Sequence, residues 1–233
     1  MSTTLLALQT NITENSQRTS SADVTLSTSI INDGYIDVCL KCNLGLTNAT
    51  KNLVAAQTKY SLTSDFSLSN VLAIRELRYI QSGATANFSI VPSASMRTVL
   101  DLNSAAVTGW TRAYSFEGTD TLLMAPAPIT GDTITLYYVP SPTALSAAGD
   151  VPSAIMSQWQ ERLLATYGLS RMYELEDPAM ADMYRQKYLS YLAEFESDML
   201  SRMGSTSRGT NVGYANRPAR PFHDRSTYYS GSN

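Results

Sequence analysis

One histidine, two cysteines, two tryptophans and a charged fraction of 16% leave this chain of 233 residues poor in the groups on which most enzyme chemistry rests. The lone His223 stands near the C-terminus, so no Ser-His-Asp or Cys-His arrangement can be assembled around it. Neither a G-x-x-x-x-G-K loop nor a G-x-G-x-x-G turn occurs, which removes the common phosphate cradles. No run approaches the ~18 apolar residues of a bilayer span. The opening MSTTLLALQT has no basic stretch of the secretory kind. Carboxylates gather at Glu174, Glu176 and Asp177, but a cluster at a helix end reads as solvated surface, and no loop collects the oxygens that Ca²⁺ or Mg²⁺ needs. The expectation is a non-enzyme with no catalytic residue, no cofactor, no metal and no membrane partner.

The two cysteines form C-x-x-C in DVCLKC, Cys39 and Cys42, a spacing that serves zinc sites and redox pairs. A structural zinc needs four ligands, and no second pair exists. Residues three apart lie near one face of a helix, so buried, reduced thiols acting as small hydrophobes are expected.

Charge is low against the roughly 25% of ordinary soluble domains, and Ser and Thr fill the polar surface instead. The net charge is −3. Four arginines against one aspartate give the segment from Gly204 onward +3, which leaves −6 on the rest. Within that basic segment Arg208, Arg217, Arg220 and Arg225 interleave with Tyr214, Phe222, Tyr228 and Tyr229. Four cations are few for a nucleic-acid arm. Arginine and aromatics are the residues that anchor protein interfaces, and Pro218 and Pro221 reduce the entropy lost on docking. A solvated end and a nucleic-acid arm remain the alternatives.

Periodicity gives the organisation. Leu5, Leu8 and Ile12 fit a short helix over 3–14. Ser27, Ile31, Tyr35, Val38 and Cys42 form one stripe of a second helix over 23–44, with Asp23 as a candidate cap and Gly34 as a weak point. Residues 52–140 read as about six short strands joined by turn residues such as GTD and PAPITGD, with a helical turn in PSASMRTVLDL. Since no long helix intervenes, antiparallel sheets in a sandwich or small barrel are expected. After Pro140 and Pro142 the chain resumes as a helix from Pro152 to Glu174, capped by Asp150 or Ser153. A turn at ELEDPA leads to a last helix that ends near Met203, with Met180, Tyr184, Tyr188, Tyr191, Phe195 and Met199 on one stripe. The fold class is α+β, a helical bundle from both chain ends with an inserted antiparallel β-sandwich-like domain and an extended C-terminal tail. Its expected divisions are 1–50, 51–143, 144–203 and 204–233.

Several short motifs follow in this order. Pro126 and Pro128 stand as P-x-P at a strand end; Tyr137, Tyr138, Pro140, Pro142 and Leu145 form the strand exit. Asp150 and Pro152 precede a helix, Tyr173 and Asp177 mark its closing turn, and Tyr188, Leu192 and Phe195 lie on the last helix. Earlier, Tyr60, Leu62, Asp65 and Phe66 match a G-x-x-Y-x-L-P-x-D-F segment, with Ala56 where glycine is usual and Thr63 where proline is common; SIIND at 29–33 matches an Ile-Asn pattern.

Together these motifs resemble the head-to-tail adaptor proteins of tailed bacteriophages, and the resemblance implies a structural virion protein of the neck, made in the bacterial host cytoplasm. Copies would form a ring of roughly twelve beneath the portal. They would join capsid to a downstream tail or stopper protein, and phage genomic DNA would leave through the channel without sequence-specific binding. The portal-docking residues would be Arg208, Tyr214, Arg217, Arg220, Phe222, Arg225, Tyr228 and Tyr229 of the tail. Glu161, Glu174, Glu176, Asp182 and Glu194 are candidates for the channel wall, where carboxylates would repel phosphates. Another neck or tail component (a stopper, tail-completion or fibre-attachment protein) is the alternative. One prediction concerns the cysteines: purified protein should contain no stoichiometric zinc by metal analysis, and a zinc equivalent per chain would contradict the reading of DVCLKC.

Overall fold

The helices begin and end where capping chemistry permits. The computed structural model describes residues 2–83, 87–92, 99–101, 109, 111–174 and 176–202. Helix α1 spans Leu5–Asn15 and α2 spans Ser21–Cys42. Seven strands follow: β1 (Thr47–Asn52), β2 (Lys59–Ser61), β3 (Val71–Ile80), β4 (Asn87–Pro92), β5 (Ala113–Glu117), β6 (Thr121–Ala125) and β7 (Thr133–Pro140). Helices α3 (Ser157–Tyr173) and α4 (Pro178–Arg202) complete the order. One compact unit covers Met1–Ala193, and a second begins at Glu194.

The α+β class is as expected, and details differ. The cap of α2 is Ser20, whose hydroxyl accepts from the Asp23 amide at 3.2 Å; Asp23 sits in the first turn, where a carboxylate favours the helix dipole. Helix α3 starts at Ser157, later than Pro152, and no side chain caps it. The reason is that 150–156 is committed elsewhere. The Asp150 carboxylate accepts from the amides of Ser146 and Ala147, each at 2.7 Å, and these bonds hold its pKa below the ordinary range. The amide of Ile155 turns back to the Pro152 carbonyl at 3.0 Å. Strand β1 begins at Thr47, earlier than residue 52, so the described residues hold seven strands where six were expected.

The strand order is β1-β7-β3-β4-β5-β6-β2. Neighbours are antiparallel except at β4 and β5, which run parallel through Val91–Ala113 and Pro92–Tyr114. β4 therefore serves two limbs, pairing with β3 over Asn87–Ile90 and with β5 beyond it. Among the described residues the order stays open at β1 and β2, and no barrel closes. Side chains of both limbs meet in one core: Leu77, Tyr79, Ile134 and Leu136 from one, Tyr60, Tyr114, Leu122 and Met124 from the other. The alternate residues of β6, Leu123 and Ala125, pack with Val99 of the expected helical turn, so this short strand is buried on both faces. Asp132 is buried at the turn before β7, where it accepts from the Tyr79 hydroxyl and from the Ser82 amide at 2.8 Å.

Helices α1, α2 and α3 pack on one another, and two glycines allow the close approach. A Cβ on Gly34 would stand 2.7 Å from the Tyr167 ring, and one on Gly168 would overlap Ile12. The sequence marks Gly34 as a weak point of α2; in the structure it is the seat of an aromatic ring.

The segment between β7 and α3 is fastened to the helices by side chains. Asn32 accepts from the Leu145 amide at 2.8 Å and donates to the Leu145 carbonyl at 3.0 Å. The Tyr35 hydroxyl accepts from the Ala154 amide at 2.8 Å. Buried Gln160 donates to the carbonyls of Pro152 and Ile155 and accepts from the Thr3 amide at 2.8 Å. The first amides of α1 use the same segment: Leu5 donates to the Asp150 carbonyl at 2.8 Å and Leu6 to that of Ala148 at 3.1 Å.

Two substitutions test these contacts. Asn32→Ala removes a partner from each backbone group of Leu145 and should cost about 1–3 kcal/mol in urea unfolding; an unchanged midpoint would show that the contact is dispensable. Ala56 adopts a φ of +62°, the left-handed conformation that glycine tolerates and alanine resists. Ala56→Gly should therefore raise stability, by up to about 1 kcal/mol once the added freedom of the unfolded chain is subtracted. A lower melting temperature would contradict this.

Candidate assembly surfaces

Several residues of the motifs that carry the resemblance serve packing, capping or loop closure. Tyr60, Leu62 and Phe66 are buried in the sheet core. Asp65 folds their loop by accepting from the Ser61 amide at 2.8 Å and pairs with Lys51 at 3.3 Å. Thr63, in the place where proline is common, uses the amide that proline lacks: it donates to Asp120 at 2.9 Å, and its hydroxyl does the same at 2.9 Å. Hydrogen bonds from Ser61 and Thr63 lower the Asp120 pKa. Tyr173 stacks on Tyr184 with centroids 5.8 Å apart and donates to the Asn15 carbonyl at 2.8 Å. Asp177 accepts from the Met180 amide at 3.1 Å and so caps α4.

The tyrosine stripe of α4 is the seam by which this helix meets its neighbours. Buried Tyr188 donates to Asp37 on α2 at 2.5 Å and lies edge-on to Tyr167 at 5.3 Å. Lys41 bridges to the same Asp37 at 2.7 Å and stands 5.4 Å over the Tyr188 ring. Burial, and then the Asp37 bond, push the Tyr188 pKa upward, so the hydroxyl stays a donor across the physiological range. Tyr184 and Tyr191 are half-buried, whereas Met183 and Leu189 face solvent at 49% and 43% exposure.

The five carboxylates proposed for the channel wall are all exposed. The structure does not gather them into one cluster of free charge. Glu161 accepts from Asn11 at 2.9 Å, Glu174 bridges to Arg171 at 2.7 Å, Glu176 pairs with Arg18, and Asp182 pairs with Arg185 at 3.2 Å. Glu194 belongs to the second unit. The eight tail residues, Arg208 to Tyr229, lie outside the described residues.

Cys39 is buried and Cys42 half-buried in the last turn of α2, the end at which a helix dipole opposes a thiolate. Burial pushes the Cys39 thiol up to about 11. Among the described residues no group of three or more His, Cys, Asp or Glu is placed to hold a metal ion, and no helix is long and apolar enough to cross a membrane.

A family model described as SU10 adaptor protein matches residues 3–218. The chain belongs to that family. The SU10 adaptor family is one of bacteriophage structural proteins, in agreement with the motifs set out above. Its match spans the helices, the sheet and the first part of the basic segment, including Arg208, Tyr214 and Arg217, and stops before Arg220. No curated protein matches the chain.

Two features of this SU10 adaptor escaped sequence reasoning. Arg75 occupies a register shift of β3 and donates to the Leu40 carbonyl at 2.5 Å, tying the sheet to the C-terminal end of α2. Arg18 pairs with Glu176 across a separation in sequence that no periodicity reports.

Proposed function

We propose that this SU10 adaptor works as a head-to-tail connector in the virion neck. Copies form a closed ring beneath the portal, join the capsid to the tail or stopper protein below, and leave a channel for the genome. The family match over residues 3–218 is the observation that carries the reading. The architecture supports it. A closing ring needs lateral surface in place of a cleft, and the motif side chains of Tyr60, Leu62, Asp65, Phe66, Tyr173 and Asp177 serve packing, capping or loop closure. Ring size follows the resemblance, roughly twelve copies.

The basic segment beyond Gly204 is the proposed portal contact, through Arg208, Tyr214, Arg217, Arg220, Phe222, Arg225, Tyr228 and Tyr229. Its net charge of +3, its aromatics and its prolines suit an arm that orders on a protein surface. Glu161 is the strongest of the channel candidates, because its described partner is the neutral Asn11 and its charge is not offset there. Glu174, Glu176 and Asp182 each have a basic partner, which weakens the repulsion that they offer to phosphates.

Deletion of residues 204–233 should leave the melting temperature within a few degrees and abolish co-purification with the portal protein. Retained portal binding would move the contact elsewhere. Imaging of the assembled neck at side-chain resolution checks the channel assignment in the same particle: the candidate acids all on the outer wall would overturn it.

A further inference from the structure

A helix packed on a core usually keeps its opposite face polar and charged. Helices α2 and α4 depart from this. On α2, Ser27, Ile31, Tyr35 and Val38 are buried against the other helices. On the opposite side Ala22, Leu26, Ser29, Asp33 and Ile36 follow at +4, +3, +4 and +3, the first four exposed and Ile36 half-buried. On α4, Ala181 and Tyr188 are buried. Opposite them Ala179, Met183, Gln186, Ser190 and Ala193 follow at the same +4, +3, +4 and +3, all exposed and none charged. Alternating steps of four and three make the seam of two paired helices. Each run covers about 21 Å of helix. The chain thus carries two outward seams of equal period and length, on different helices.

We infer that the α2 seam of one copy packs against the α4 seam of the next, and that this pairing is the lateral contact of the ring. The inference rests on the adaptor reading above and names the two faces it requires. Charge favours a second copy as the occupant. Asp33 is the only charge in the α2 seam and has no ion pair among the described residues. Lys187 flanks the α4 seam and likewise has no ion pair among the described residues; its ammonium stands 5.9 Å over the Tyr191 ring. Lys187 lies four residues after Met183 and three before Ser190, so it neighbours both on the helix surface. With Ser29 opposite Gln186, Asp33 falls opposite Ser190 in a parallel pairing and opposite Met183 in an antiparallel one. Lys187 is therefore beside Asp33 in either direction. Because the two faces differ, the contact is heterologous, the kind that propagates around a ring.

The central positions, Ser29 and Gln186, meet in both directions, which makes them the test. Particles are prepared with Ser29→Cys and Gln186→Cys in one chain, and with each alone, all in a Cys42→Ala background that leaves only the buried native Cys39. After mild oxidation of intact particles, a non-reducing gel should show a ladder of covalent multimers for the double variant and monomer for each single one. Dimers from Ser29→Cys alone would show two α2 faces together and overturn the inference. A ring visible by imaging with no ladder would overturn it as well, and would leave the adaptor reading standing. A neck without a ring would remove both.

Discussion

The contact between the Asn32 side chain and the backbone of Leu145 fixes where the chain returns from the sheet to the helices. The segment that follows, up to Met156, has no helix or strand of its own, yet its amides and carbonyls need partners. Side chains supply them: Asn32 and Tyr35 from α2, Gln160 from α3, Asp150 from the segment itself. α1 closes the arrangement by donating its first amides to the carbonyls of Ala148 and Asp150. An irregular stretch is thereby built into the packing of three helices. Its geometry is set by polar contacts, which are directional, and less by apolar ones, which are not.

Helix α4 is attached on different terms. Apart from the amides capped by Asp177, the described contacts of α4 with its neighbours run through side chains. The described contacts are aromatic: Tyr188 on Tyr167 and Asp37, Tyr184 on Tyr173, Tyr191 under Arg162. Tyrosine suits a seam of this kind because it combines apolar area with one directional hydroxyl. The result is that the first part of the helix, 178–193, is held along one narrow side.

Much of this was legible in the sequence, and the gaps have physical causes. The 3.6 period placed α1, α2, α3 and α4, and alternation placed most of the described strands, because both patterns follow from burial on one face. Boundaries failed where an unforeseen contact won. Asp150 reads as a helix cap but folds the preceding loop, and α3 starts five residues after Pro152. The parallel step between β4 and β5 left no trace, since strand direction is not written in alternation. Of the candidate site, the tyrosine stripe and the acids were readable as types and spacings. Their pairing was not: Arg18 with Glu176 and Tyr188 with Asp37 depend on which helices become neighbours. Ala56 and Thr63, which stand out as departures from the family pattern, turned out to mark a left-handed residue and an amide donor.

The parallel junction at β4 bears on how the sheet responds to load. Among the described residues Val91 and Pro92 alone share a ladder with β5, so the described backbone stitching between the two limbs is two rungs wide. The shared core of Tyr60, Leu77, Tyr114 and Leu136 also couples them, and the Lys51–Asp65 pair adds one polar contact. Hydrogen-bonded rungs break over a short displacement, whereas interdigitated side chains can slide and re-seat. Torque applied to one limb would therefore be taken up as a small tilt about β4, with the ladders of either limb left whole.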